Sequence, residues 1–191
     1  PPRSTLFPYT TLFRSSSHCF EENTTALNRA NDIMNLIADE SINAIMAGIG
    51  GFNCNEVLDL LDFEKIKCAN KPFVGFSDIT ALCIAINKLA DVITFVGPTV
   101  AVFCQKNISE YTSQYFQKAL MLNEPIEIYC SKQFAVDKWY ENNNGIRHWI
   151  PNNGFTVFVN GYAKGNIIGG NMQTILALAA TQYFHNFNRK L

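Results

Sequence analysis

The stretch Lys71–Leu82, KPFVGFSDITAL, runs from a short apolar segment, Pro72 to Phe76, through a Gly-Phe-Ser-Asp turn. A helical pattern follows at once, with Ile79, Leu82, Cys83, Ile86 and Leu89 at helical spacing. That order sets Ser77 on a tight strand-to-helix corner. Its hydroxyl projects from the sheet edge, and the backbone N–H of Asp78 lies at a helix N-terminus. A hydroxyl nucleophile requires such a place: exposed, fixed and beside donors that can hold a developing oxyanion. The competing reading is that Ser77 or Asp78 simply caps the helix, which both residue types do well. The hydrolase elbow also carries glycine two residues after its serine, where Ile79 stands here.

Outward from this corner the chain alternates. Upstream, Ile42–Ile49 is an apolar run too short for a helix and fits a buried strand. It enters the cluster Gly48-Ile-Gly-Gly-Phe-Asn-Cys-Asn. The cluster is not a dinucleotide fingerprint, since Asn53 occupies the last glycine position, and no Gly-Lys-Ser/Thr makes it a Walker loop. A glycine-rich strand end can bring bare N–H groups to a ligand oxygen, or can be a plain tight turn. Asn55 is placed to cap a short helix, Glu56–Leu61, and Asp62–Asn70 connects it to the Ser77 strand. Earlier, Thr24 is read as the N-cap of a helix whose apolar face is Ala26, Ala30, Ile33, Met34, Ile37 and Ala38. Arg29, Asn31, Asp32 and Asn35 form its solvated face. Downstream, Asp91–Phe95 reads as a strand ending at Gly97-Pro98, Ser109–Met121 as a helix and Ile126–Tyr129 as a strand.

Strand and helix in alternation specify an α/β fold with a parallel sheet. Ligands bind beyond the carboxyl ends of such strands. Gly50-Gly51, Ser77 and Gly97-Pro98 all follow strand ends and share that edge. The convergence favours the functional reading of Ser77 over the capping one.

Hydrophobic residues make up 48% of the 191 and charged residues 16%, a core-forming composition. A net charge of −1 gives no basic footprint, so nucleic acid is not an expected partner. No apolar run reaches the roughly 20 residues that span a bilayer, so no membrane association is expected. The cysteines at 19, 54, 68, 83, 104 and 130 have neither CxxC nor zinc spacing, and Cys83 and Cys104 are read as core residues. A reduced, cytoplasmic setting without metal or cofactor is expected.

Residues 1–15 are set aside: Thr5–Ser15, TLFPYTTLFRS, resembles a translated sequencing-adapter oligonucleotide. Pro8 and Arg14 interrupt any signal-peptide core there. The expected domains are an α/β nucleophile domain over 16–130, a polar and aromatic interdomain excursion over 131–160, and the start of a C-terminal domain over 161–191. Within the excursion, Trp139 and Trp149 could anchor a substrate or cover a core edge. Phe155–Val159 alternates like a strand, and Gly169-Gly-Asn opens a helix at Asn171–Thr181.

Five segments then resemble a known family: Ile45–Asn55, Asp62–Ile66, Lys71–Leu82, Phe95–Pro98 and Gly165–Asn171. In order and in motif they are similar to the LD-carboxypeptidase family of serine peptidases, in the branch that holds the microcin C7 self-immunity protein. The resemblance covers about Asn28 to Leu191. It implies a two-domain enzyme with a Ser-Glu-His triad, Ser77 as nucleophile, and oxyanion donors at the Asp78 and Gly51 N–H groups. It further implies that a first strand is missing, that the glutamate falls just past Leu191, and that the histidine falls much further on. His18, His148 and His185 match no catalytic position and are read as surface residues.

The expected function is therefore amide hydrolysis of a small peptide or a peptidyl or aminoacyl nucleotide, by a full-length homodimer. This 191-residue chain is expected to be an inactive, marginally stable fragment. Two alternatives stand beside it: a murein tetrapeptide carboxypeptidase, and a non-catalytic α/β ligand-binding module.

Overall fold

The computed structural model of the chain describes residues 25–138 and 146–184. Thr24, the adapter-like stretch, His18, Cys19, Trp139 and His185 lie outside them. Two compact units divide the described residues: one takes those up to Ala101 and those from Gly165 on, the other those from Val102 to Lys164. These units are drawn differently from the expected division at 130 and 160. Gly165 onward joins the first unit because its helix packs on that unit's core, and 102–130 groups with the polar excursion.

In the first unit, α1 (Ala26–Ala38) begins where the Thr25 hydroxyl accepts the Asn28 N–H at 3.1 Å. Thr25, one residue past the expected cap, does the capping. Ala30, Ile33, Leu36 and Ile37 enter the core, while Asn31 and Asn35 stay exposed as expected. Arg29 does not: it is only 7% exposed, because its guanidinium is turned onto Asn53 and Glu56.

Lys71 is buried too. Its ammonium donates to the carbonyls of Leu36, Ile37 and Asp39 at 2.9, 2.7 and 2.7 Å, closing the C-terminal end of α1. A cation there meets the negative end of the helix dipole and satisfies carbonyls that the helix cannot. Lys71→Met, measured by chemical denaturation of the full-length protein, is expected to lose about 2–3 kcal/mol, since it strands buried acceptors. An unchanged midpoint would contradict this role.

The sheet has three parallel strands in the order β1 (Ile45–Met46), β2 (Phe73–Gly75), β3 (Thr94–Val96). Ile45 pairs with Phe73, Phe73 with Thr94, and Gly75 with Val96. The β1 ladder is shorter than its apolar run for a visible reason. After Ala47 donates to Val74, the Ala47 and Gly48 carbonyls leave the sheet to accept from Val100 and Ala101.

Between β1 and β2 lie a 3₁₀ segment, Cys54–Leu60, and α2 (Phe63–Ala69). Asp62 caps α2 by accepting the Lys65 N–H, and Asn70 ends it in a left-handed conformation, φ 48°. The expected cap at Asn55 is not used; the segment starts earlier, at Cys54. Helix α3 (Thr80–Ala90) follows β2, with Thr80 to Ile86 buried without a break, so it is the central helix of the core. Burial pushes the Cys83 thiol up to about 12, in keeping with a core residue. Cys104, by contrast, is exposed.

The chain passes to the second unit along α4 (Val100–Phe103) and continues in α5 (Glu110–Met121), which starts after Ser109 as expected. The expected strand Ile126–Tyr129 is irregular and exposed. Tyrosine hydroxyls of α5 take its backbone bonds instead: Tyr111 donates to the Tyr129 carbonyl, while Tyr115 donates to Glu127 and accepts from the Tyr129 N–H. The ladder that forms is β4 (Gln133–Phe134) antiparallel to β5 (Ile150–Pro151). Phe155–Val159 has no strand partner among the described residues, and Phe158 is 93% exposed. Back in the first unit, α6 (Met172–Ala177) is shorter than expected, ending where Leu178 to Thr181 tighten into turns.

Candidate active site

Ser77 stands at the carboxyl end of β2, the second of three strands that share one direction. Its backbone is left-handed, with φ 61°. A non-glycine residue held there carries strain of about 1–3 kcal/mol, kept only where its surroundings enforce it. Two glycines pack closely about this corner. Gly75 has no side chain because Ile79 occupies the space: a Cβ on Gly75 would lie 2.6 Å from the Ile79 Cγ2. That contact lets isoleucine stand two residues after the serine. On the other side is Gly50, where an added Cβ would sit 2.9 Å from the Ser77 Cβ and 3.2 Å from its Oγ. The glycine loop after β1 therefore presses its bare backbone against the serine hydroxyl.

Asp78 ties that loop to the corner. Its carboxylate accepts the Cys54 N–H at 2.7 Å, which also closes the N-terminal end of the 3₁₀ segment. Burial holds the Asp78 carboxyl above the usual aspartate range, against the opposing pull of its hydrogen bonds with Cys54 and Asn53 and of Arg29. The sign follows from linkage: a carboxyl raised on folding contributes stability below its unfolded value, near pH 4, and loses it as pH rises through the folded value. Asp78→Asn keeps an acceptor and removes the titration. Its stability relative to wild type is expected to climb as pH rises through that window, read as Tm against pH; a flat difference would contradict the assignment.

The third wall comes from 165–184. Gly170 lies at φ 148°, and the following Asn171 N–H donates to the Thr80 hydroxyl at 3.0 Å. Asn171 then caps α6 by accepting from the Thr174 N–H and hydroxyl. Together these pieces enclose a cleft of about 260 Å³ lined by Gly51, Phe52, Asn55, Ser77 and Asp78 on one side, with Asn171, Gln173 and Thr174 on the other.

The cleft thus gathers Ser77, Asp78 and Gly51. Gly97-Pro98 follows β3 at the same sheet end, where Gly97 bonds the Gly75 carbonyl, but it is not part of the lining. Asn171 and Thr174 were not foreseen as lining residues, although the Gly-Gly-Asn helix opening was their signal. Among the described residues no histidine lines the cleft, and no cluster of His, Cys, Asp and Glu is set for a metal. His148 lies in the second unit, exposed. Trp149 is there too, half-buried, with the Arg147 guanidinium 5.6 Å from its ring centroid and Arg147 paired to Asp137 at 2.8 Å. None of the described helices is long and apolar enough to cross a membrane.

A left-handed serine at the end of a parallel strand, faced by a glycine loop, gives this α/β protein the strand–turn–helix corner that presents the nucleophile in α/β hydrolases. Residues 9–97 match the LD-carboxypeptidase N-terminal domain, so the chain carries that domain. The match begins inside the stretch set aside as adapter-like. YocD of Bacillus subtilis, named a carboxypeptidase, is 37% identical over 91% of this chain and 54% of its own length. The microcin C7 self-immunity protein MccF of Escherichia coli is 28% identical over 86% of this chain and 49% of its own. The solved MccF-like protein of Bacillus anthracis superposes with a TM-score of 0.85 at 36% identity, covering 87% of this chain and 50% of that one. The chain spans about half the length of the curated relatives it matches.

Proposed function

We propose that the full-length protein is a serine hydrolase of amide bonds whose nucleophile is Ser77. The observation that carries this is the left-handed corner of Ser77 with Gly50 against its hydroxyl. In this reading the Ser77 Oγ attacks a carbonyl carbon in the cleft. The N–H groups of Asp78 and Gly51 hold the oxyanion, and water later releases the acyl group. The histidine that takes the serine proton, and the glutamate that orients it, would come from the remainder of the full-length protein.

For the substrate we favour a small aminoacyl or peptidyl nucleotide. The immunity protein MccF, 26% identical with a TM-score of 0.78, has been solved with aspartyl sulfamoyl adenosine and, as a tryptophan-to-phenylalanine mutant, with adenosine monophosphate. The polar walls Asn55, Asn171 and Thr174 suit the polar groups of such a ligand. Base stacking on Trp149 or Trp139 remains part of the proposal; Trp149 already stacks against Arg147. The muropeptide reading draws on a Bacillus subtilis murein peptide carboxypeptidase that is 23% identical.

The test gives the full-length protein both an aminoacyl sulfamoyl adenosine and a murein tetrapeptide, and compares kcat/KM, with Trp149→Ala alongside wild type. Preferential cleavage of the nucleotide, weakened in the variant, is expected. Efficient cleavage of the tetrapeptide alone would replace this substrate with the cell-wall one.

A further inference from the structure

We propose that Arg29 is a positioning residue for the oxyanion loop, acting on it from α1 with no contact to substrate. The inference rests on Ser77 being the nucleophile and adds a residue to that site.

The loop from Gly50 to Cys54 is held at both ends. At its start Gly50 packs on Ser77. At its end two groups converge, the Asp78 carboxylate on the Cys54 N–H and the Arg29 guanidinium on Asn53. One guanidinium nitrogen of Arg29 donates to the Asn53 backbone carbonyl at 3.1 Å and to its side-chain oxygen at 2.8 Å. The other nitrogen pairs with Glu56, in the first turn of the 3₁₀ segment. A single planar fork therefore fixes a loop residue and the segment that follows it. Lysine, a point donor on a flexible stem, cannot span those three acceptors in one plane.

Burial adds weight. Arg29 is enclosed in the first unit, whereas Glu56 is about half exposed. An exposed ion pair would be worth little, but a buried guanidinium whose donors meet loop oxygens resists loop movement strongly. The loop faces Ser77 through a glycine contact of van der Waals closeness. A displacement of about 1 Å at such a site can cost on the order of 10²-fold in rate. The loss should fall on the transition state, where the oxyanion forms, and spare ground-state binding.

The test uses the full-length protein with Arg29→Met, the milder Arg29→Lys, and Ser77→Ala as a separate control. It measures kcat, KM and the affinity of a boronic acid that mimics the tetrahedral intermediate. With Ser77→Ala inactive, Arg29→Met should lower kcat by about 10²-fold, leave KM within about threefold, and weaken the boronic acid in the same ratio as kcat. Arg29→Lys should follow the same line with a smaller loss, which keeps the test open if the methionine variant folds poorly. If kcat and boronic acid affinity stay within about threefold of wild type in both variants, Arg29 has no positioning role. If Ser77→Ala itself turns over normally, the nucleophile assignment fails, and this inference with it.

Discussion

Replacing Ser77 by alanine in the full-length protein is expected to abolish amide hydrolysis while leaving the fold in place. Removing a triad nucleophile commonly leaves only about 10³–10⁴-fold of catalysis over water, supplied by the oxyanion site and binding. The fold should survive because the Ser77 side chain is half-buried and lies against bare glycine backbone, so its hydroxyl leaves no large cavity. Circular dichroism and Tm within a few degrees of wild type, beside a lost rate, is the expected pair of results. Near-normal turnover would remove Ser77 from the mechanism.

Gly170→Ala is expected to have the largest effect on stability. Its Cβ would lie 2.3 Å from the Thr80 Cγ2 and 2.8 Å from the Thr80 Oγ1, and Thr80 is fully buried at the head of α3. The φ of 148° is also a conformation that an alanine rarely adopts. Strain of about 1–3 kcal/mol and a similar overpacking cost both apply, so a loss of about 3 kcal/mol or more is expected. The Asn171 N–H bond to Thr80 and the cap of α6 would be disturbed together, opening the cleft wall opposite Ser77. Denaturant unfolding of the full-length protein measures the loss; a change below about 1 kcal/mol would mean the 165–184 segment is not held as described.

The corner at Ser77 was legible because three signals coincide in twelve residues: an apolar run, a Gly-Phe-Ser-Asp turn and a helical period. The parallel order of the strands was legible for a related reason, since each apolar run ends in glycine and is followed by a helix pattern. What sequence could not give is which polar residues turn inward. Arg29 sits on the polar side of α1 by periodicity, yet oxygens at Asn53 and Glu56, brought near only by the fold, draw it into the interior. Lys71 is hidden for the same reason, its partners being carbonyls at the end of a distant helix.

Neither could spacing say which glycine faces the serine. Gly51 lines the cleft, but Gly50 makes the close approach. Helix α2 went unread although Asp62 and Asn70 mark its two ends, because seven residues give too short a period to stand out. Ile126–Tyr129 and Phe155–Val159 have strand-forming composition without strand partners among the described residues. Composition reports what a segment could pair with, and tertiary context decides whether it does.

The proposed mechanism stands or falls on Ser77 being an activated nucleophile. The direct measurement is to treat the full-length protein with a fluorophosphonate and locate the adduct by peptide mass spectrometry. One modified site is expected, on the peptide that carries Gly75-Phe-Ser-Asp, with labelling lost in Ser77→Ala. An active enzyme that takes up no probe at Ser77, or takes it up at another residue, would contradict it.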